Sequence, residues 1–275
     1  MLLPNITVIV DATAPLIFFT EPTPVNNTNQ TQTSFTVNVT INDTYLNMTA
    51  LFINGTLNQS KNYTSGNLTN FSLTNLNEGA YLYHVEINDS AGNVNRTETR
   101  LIKIDLTNPL LYLEDPNPSN YTNVDTVIFK YNVSDNLAGI KNCSLLINAT
   151  VNQTNLTVTQ GASQNFTLRL ENGSYNWSIQ CYDFPDNLNL SETRNITVDT
   201  TIPLIFDEAV NATQIAINTR VCINATVLDT FSNISNVLAE INRPESGLTN
   251  VTLTNTSSCG NAGGAVYAAT VLSNE

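Results

Sequence analysis

A junction of the form Asp-x-x-x-Pro occurs three times at one fixed interval, and that interval limits what this chain can fold into. The copies are Asp11-Ala12-Thr13-Ala14-Pro15, Asp105-Leu106-Thr107-Asn108-Pro109 and Asp199-Thr200-Thr201-Ile202-Pro203, each 94 residues after the last. A short apolar-alternating run precedes each copy: Asn5 to Val10, Arg100 to Ile104, and Arg194 to Val198. Self-similarity at a fixed period outranks other signals of organisation. A unit of this length buries its own core, unlike the roughly 20–50-residue units of solenoids. The repeat therefore predicts a tandem array with domains at 11–104, 105–198 and 199–275. Residues 1–10 remain in front as an orphan closing strand.

Inside the units the apolar period is two, the mark of strands with one buried face. Phe35, Val37, Val39 and Ile41 alternate with polar residues, as do Tyr81, Tyr83, Val85 and Ile87, which leaves His84 and Glu86 on the outer face. In the second unit the same phase holds for Tyr175, Trp177, Ile179 and Cys181. Pro22 and Pro24, and then Pro116 and Pro118, interrupt pairing. The polar stretch from Val25 to Gln32 and the segment around Gly55 to Gly66 read as loops. About seven short strands per unit, separated by turn signals and without helical periodicity, predict all-β sandwich domains. In the third unit the strand Ala265 to Leu272 aligns by spacing with the Tyr81 and Tyr175 strands. That alignment leaves the unit short of one final strand.

Composition narrows the chemistry. The net charge is −13 and charged residues are only 12% of the chain, about half the globular average. No basic patch exists to release counterions, so nucleic acid is excluded as a partner. No apolar run approaches the roughly 20 residues of a membrane-spanning helix. The single histidine, His84, has no second His and no paired Cys for a zinc site. No G-x-S-x-G sequence is present to hold a nucleophile. These features predict a non-enzyme with no resident cofactor. Calcium at the domain junctions is the one metal hypothesis, with Asp11, Asp105 or Asp199 joined by Asp89 or Asp183 as hard oxygen ligands. Against it stands the simpler role of an Asp that caps the turn before Pro.

Four cysteines allow three pairings. One bridge within each of two domains is simplest: Cys143 with Cys181, both in inward phase, and Cys222 with Cys259. The first unit has Thr49 and Ile87 at the positions of Cys143 and Cys181. A bridge there is an addition to a fold that stands without it, contributing roughly 2–4 kcal/mol.

Asparagine is the dominant polar residue, and the sequon Asn-x-Ser/Thr occurs 29 times. The sequons begin at Asn5, Asn26, Asn29, Asn38, Asn42, Asn47, Asn54, Asn58, Asn62, Asn67, Asn70, Asn88 and Asn95. They continue at Asn120, Asn132, Asn142, Asn148, Asn152, Asn155, Asn165, Asn172, Asn176, Asn189, Asn195, Asn211, Asn224, Asn233, Asn250 and Asn255. With 43 Asn and 56 Ser plus Thr in 275 residues, random placement would give about a third as many. Strand alternation generates some, because a solvent face built of Asn, Thr and Ser writes sequons unaided. Asn26, Asn29, Asn54, Asn58, Asn62, Asn120, Asn152 and Asn211 lie in turn-like stretches that this explanation does not cover. Dense N-glycosylation of an extracellular chain accounts for both the excess and the shortage of charge.

The Asp-x-x-x-Pro junctions, the turn Asp89-Ser90-Ala91-Gly92-Asn93 and the segment Val133-Ser134-Asp135-Asn136-Leu137-Ala138-Gly139-Ile140 resemble the tandem immunoglobulin-like repeats of bacterial and archaeal surface proteins. The resemblance covers the whole chain. Together with the sequons it implies an archaeal type of surface glycoprotein or extracellular filament. The turn Asp183-Phe184-Pro185-Asp186-Asn187 departs from the pattern. The ends add a mechanism. Asn5, Ile6, Thr7, Val8, Ile9 and Val10 repeat a closing strand, and the third domain lacks one. Donation of that strand into a neighbouring copy would link copies head to tail as a homopolymer. The alternative reading is a stalk or spacer within a longer surface adhesin or surface-layer protein.

Overall fold

The computed structural model describes residues 10–63, 67–210, 220–243, 247–255 and 266–272. Every regular element among them is a strand. The first unit comprises β1 (Leu16–Thr20), β2 (Thr28–Gln30), β3 (Phe35–Asn42), β4 (Leu46–Ile53), β5 (Thr56–Asn62), β6 (Leu68–Leu73), β7 (Gly79–Asp89), β8 (Val94–Arg96) and β9 (Arg100–Ile104). One sheet has the order β1-β3-β6; the other runs β2-β9-β7-β4-β5, with β8 also on β7. The second unit repeats this with β10 (Leu110–Asp115), β11 (Asn120–Thr122), β12 (Thr126–Ser134), β13 (Ile140–Ile147), β14 (Thr150–Asn155), β15 (Ser163–Arg169), β16 (Gly173–Asp183), β17 (Leu188–Leu190) and β18 (Arg194–Val198).

The alternating residues meet between the two sheets. Val37, Val39, Leu51, Phe71, Tyr83, Val85 and Ile102 are fully buried in the first unit. Phe129, Tyr131, Val133, Leu145, Ile179 and Val198 are fully buried in the second. Burying each such side chain contributes roughly 1.5–3 kcal/mol, and this face-to-face packing supplies most of what opposes chain entropy. Trp177 sits where the first unit has Tyr83, edge-on to Phe129 at 5.0 Å between centroids. Tyr83 keeps its hydroxyl satisfied by donating to the Pro24 carbonyl, and burial pushes its pKa up to about 12.

The proline pairs have a topological reason. At Pro22 and Pro116, both preceded by cis peptide bonds, the chain leaves one sheet and crosses to the other. There β2 pairs in parallel with β9, and β11 with β18. The reading of Val25 to Gln32 as a loop therefore misses β2. The reading of the segment after Gly55 as a loop likewise misses β5. Both are edge strands with almost no buried face, so no apolar alternation marks them. The sequons Asn29, Asn58, Asn62, Asn120 and Asn152 accordingly lie on strands, whereas Asn26 and Asn54 are in turns. Asn211 lies outside the described residues.

The third unit contains β19 (Leu204–Val210), β20 (Arg220–Leu228), β21 (Val237–Arg243), β22 (Gly247–Asn255) and β23 (Val266–Leu272), in one sheet of order β19-β20-β23-β22-β21. Here the alignment by spacing is corrected. β23 pairs with β20, Arg220↔Leu272 through Thr226↔Val266. That is the place of β6 beside β3 and of β15 beside β12, not the place of β7 and β16. A longer connection between β22 and β23 slides the strand along the sequence by about one strand, and its apolar alternation fits either slot. Among the described strands, this unit therefore has counterparts of neither β7 nor β9. Among the residues whose burial is described, its core is centred on Val227, Val237 and Leu253. The orphan segment Asn5 to Val10 lies outside the described residues except for Val10, which is exposed.

Cys143 and Cys181 form a disulfide with Cα atoms 4.1 Å apart, and they are directly opposed on the neighbouring strands β13 and β16. Cys222 is also disulfide-bonded, while Cys259 lies outside the described residues. Because Thr49 and Ile87 hold the same opposed positions in the first unit, the bridge adds stability without being required for the fold. The double variant Cys143→Ala/Cys181→Ala is expected to keep the far-ultraviolet spectrum of a sandwich. It should lose about 2–4 kcal/mol in denaturant titration of the second unit, and reductant should have the same effect on the unaltered chain.

Candidate functional site

The junction Asp residues do not stand alone. Asp11, Asp43 and Asp89 converge at the head of the first unit, and Asp105, Asp135 and Asp183 converge at the joint between the first and second. In each group one carboxylate oxygen per residue lies within 4.8 Å of the others. Three elements supply them: the Asp-x-x-x-Pro junction, the turn after β3 or β12, and the end of β7 or β16. Of the metal candidates named from sequence, the structure brings Asp11 to Asp89 and Asp105 to Asp183. It adds Asp43 and Asp135, which sequence reasoning missed. Their signal was available, since each opens a turn about 30 residues after its junction Asp. Asp199 is accompanied by Asp229 at the next joint, where both border a cleft of about 490 Å³.

Each carboxylate is held by local backbone amides. Asp105 accepts from Thr107 N at 3.1 Å and Ala138 N at 2.9 Å. Asp135 accepts from Leu137 N and Gly139 N through Oδ1 alone, and its Oδ2 is buried without a partner. Asp183 accepts from the backbone and side-chain amides of Asn187, and Asn187 also donates to the Asp105 carbonyl at 3.0 Å. Asp89 and Asn93 repeat this at the first head, with Asn93 reaching the Asp11 carbonyl. The turn Asp183 to Asn187 thus has the same hydrogen bonds as Asp89 to Asn93, despite its different sequence.

Electrostatically the second cluster is the more strained. Asp105 and Asp183 are fully buried, and none of the ion pairs among the described residues involves a member of either triad. Burial pushes the carboxyls of Asp105 and Asp183 above their ordinary range, and neighbouring Asp135 adds to the push. Burial acts on Asp89 too, but hydrogen bonds from Asn93, Gly92 and Ala91 outweigh it and hold that carboxyl low. Uncompensated like charges at this separation are costly in a buried site. Oxygens within 4.8 Å of one another are close enough for a hard cation with metal–oxygen distances of about 2.3–2.6 Å to reach one from each carboxylate.

The joint is also braced directly. Glu78, at the end of the first unit, accepts from Leu106 N, Thr107 Oγ1 and Asn136 Nδ2. These bonds, Thr107 first, hold its carboxyl below the ordinary range. Lys103 donates to the Leu137 carbonyl. At the following joint Asn172 takes the place of Glu78, accepting from Thr200 N and Thr200 Oγ1.

His84 is half-buried rather than fully outward. It stacks on Phe52 at 5.1 Å between centroids and lies 3.5 Å from Glu86. Trp177 is buried, with the Arg194 guanidinium 6.0 Å from its ring centroid.

Fold and joints define tandem immunoglobulin-like β-sandwiches. Residues 23–106 match the model of a bacterial Ig-like domain. Among solved structures, the chain is similar to the I-band fragment I67–I69 of titin at 13% identity, with a TM-score of 0.52 over 96% of this chain and 90% of that one. It is similar to the D1–D4 ectodomain fragment of ICAM-5 at 12% identity, with a TM-score of 0.46 over 95% and 69%. It is also similar to the fibronectin(III)-like modules of Clostridium thermocellum CbhA at 16% identity, with a TM-score of 0.38 over 66% and 94%. Among curated proteins no sequence matches significantly. No helix among the described residues is long and apolar enough to cross a membrane.

The raised carboxyls fix the sign of the pH response. Protons bind Asp105 and Asp183 more tightly in the folded joint than in the unfolded chain. Their stabilising contribution is therefore present below the ordinary Asp range and is lost as pH rises through the folded values. Glu78 has the opposite sign, its contribution being lost as pH falls, so in chelator the Glu78→Gln variant should lose less melting temperature on acidification than the unaltered chain. At neutral pH, calcium at about 30 times its dissociation constant should add about 2 kcal/mol. Asp135→Asn should abolish that gain in scanning calorimetry.

Proposed function

We propose that this chain is a non-catalytic, extracellular stalk of tandem Ig-like sandwiches, coated with N-linked glycans, that holds a distal part of a surface protein away from its anchor. The observation that carries this reading is the joint between the first two units. Only the five residues Asp105 to Pro109 separate β9 from β10. Glu78, Lys103 and Asp105 each cross-brace the joint to the turn that contains Asn136, Leu137 and Ala138. A linker this short, with its backbone tied on both sides, resists the domain motion that a free linker allows. The coat is supported by placement: the described sequon asparagines from Asn26 to Asn250 are all exposed or half-buried. Glycans on Asn58, Asn62 and Asn152 would also shield the sheet edges β5 and β14, through which sandwiches aggregate.

The filament alternative, in which residues 5–10 of one copy complete the third unit of the next, is less well supported. In both complete units the closing strand is held between two neighbours: β9 between β7 and β2, β18 between β16 and β11. The third unit has no counterpart of β7 or β16, the antiparallel neighbours of those closing strands, among its described strands. Small-angle scattering and sedimentation test the choice together. The stalk reading expects a monomer with a radius of gyration well above the roughly 19 Å of a compact chain this long. Polymers that vanish when residues 1–10 are deleted would instead establish strand donation.

A further inference from the structure

Two sequons at equivalent positions of the first two units commit their amide nitrogens to the fold. On β8, Asn95 Nδ2 donates to the Pro15 carbonyl at 2.8 Å; on β17, Asn189 Nδ2 donates to the Pro109 carbonyl at 2.7 Å. Each bond joins the start of a unit to a strand 80 residues later. The hydroxyls of the same sequons are engaged as well. Thr97 Oγ1 accepts from Val85 N and donates to the Glu98 carbonyl. Ser191 Oγ accepts from Ile179 N and donates to the Glu192 carbonyl. Thr97 is only 6% exposed.

A second pair of repeated sequons makes the opposite use of the amide. Asn54 and Asn148 sit at the tips of the β4–β5 and β13–β14 hairpins with φ of 51° and 49°, a conformation that asparagine tolerates better than most residues. Their Oδ1 atoms accept from Leu82 N at 2.8 Å and Asn176 N at 3.0 Å. Among the described residues their Nδ2 atoms have no hydrogen-bond partner, and Thr56 and Thr150, which complete the sequons, are exposed. Here the fold uses the oxygen and leaves the nitrogen free.

N-glycosylation acts on the nitrogen. C1 of a sugar activated by a phosphate leaving group forms a bond to Nδ2, the bond to that leaving group breaks, and Nδ2 loses a proton. The Ser or Thr hydroxyl is part of what is recognised. We propose that the fold selects among its own sequons: Asn54 and Asn148 carry glycans, while Asn95 and Asn189 stay bare as structural staples. This rests on the glycoprotein reading above.

Site-by-site glycopeptide mass spectrometry of the protein from its own cells tests it. The expected map has glycan on Asn54 and Asn148 and none on Asn95 or Asn189. Glycan on Asn95 or Asn189 at comparable occupancy, or bare Asn54 and Asn148 among modified neighbours, overturns this inference and leaves the glycoprotein reading standing. A chain bare at every sequon overturns both. Asparagine-to-aspartate variants, melted in protein made without glycosylation, supply the second arm. Aspartate keeps the Oδ1 acceptor and removes the Nδ2 donor. Asn95→Asp and Asn189→Asp should lower the melting temperature of their units by about 4–8 °C, while Asn54→Asp and Asn148→Asp leave it nearly unchanged. Equal effects at all four sites would overturn the division of roles.

Discussion

The double pairing of the closing strand is the constraint on which the rest of the molecule depends. β9 hydrogen-bonds antiparallel to β7 and parallel to β2, so it closes one sheet and holds the crossover that carries the chain between sheets. Its side chains do the same on both faces. Ile102 and Ile104 are fully buried, and Arg100 lays its guanidinium 4.4 Å from the Phe19 ring centroid while donating to the Pro24 carbonyl. β18 repeats the arrangement with Arg194, which donates to the carbonyls of Leu113 and Pro116. The next residue after each closing strand is the junction aspartate. Seal and joint are therefore one element, and the orientation of a following domain is set by how the preceding one is closed.

That coupling explains why the acidic clusters recur. A junction Asp directly after a closing strand is already positioned, and the two turns that flank it carry their own Asp residues for local reasons, as acceptors of backbone amides. Convergence of three carboxylates then follows from the topology. The charge is not neutralised by any lysine or arginine among the described residues, in keeping with a chain that uses so few of them. The two joints differ in their bracing acceptor: Glu78 gives the first a charged one, and Asn172 gives the second a neutral one that is also a sequon.

The sandwich class was legible because alternation and a 94-residue period are both written in single residues, such as Phe35 to Ile41 and the three Asp-x-x-x-Pro copies. The Cys143–Cys181 bridge was legible for the same reason, since both residues share an inward phase. What failed to show were the elements that bury little: β2, β5 and β14 have no apolar face to betray them. The position of β23 failed differently. Its alternation is correct, but alternation does not say which neighbour a strand pairs with, and an insertion before it shifted the spacing. Asp43 and Asp135 were overlooked because a carboxylate in a turn needs no partner to make sense. The division of labour between Asn54 and Asn95 was invisible, because which amide atom a fold employs is a matter of three-dimensional contact.

The disulfide has a mechanical side. Cys143 and Cys181 are 38 residues apart yet face each other on adjacent strands, so chain between them cannot lengthen when the ends of the second unit are pulled. At about 3.4 Å per extended residue, the bridge withholds roughly 130 Å of contour that the first unit, lacking it, would release. Under tension the two sandwiches would therefore yield different lengths of slack, the first acting as the longer shock absorber and the second as the stop.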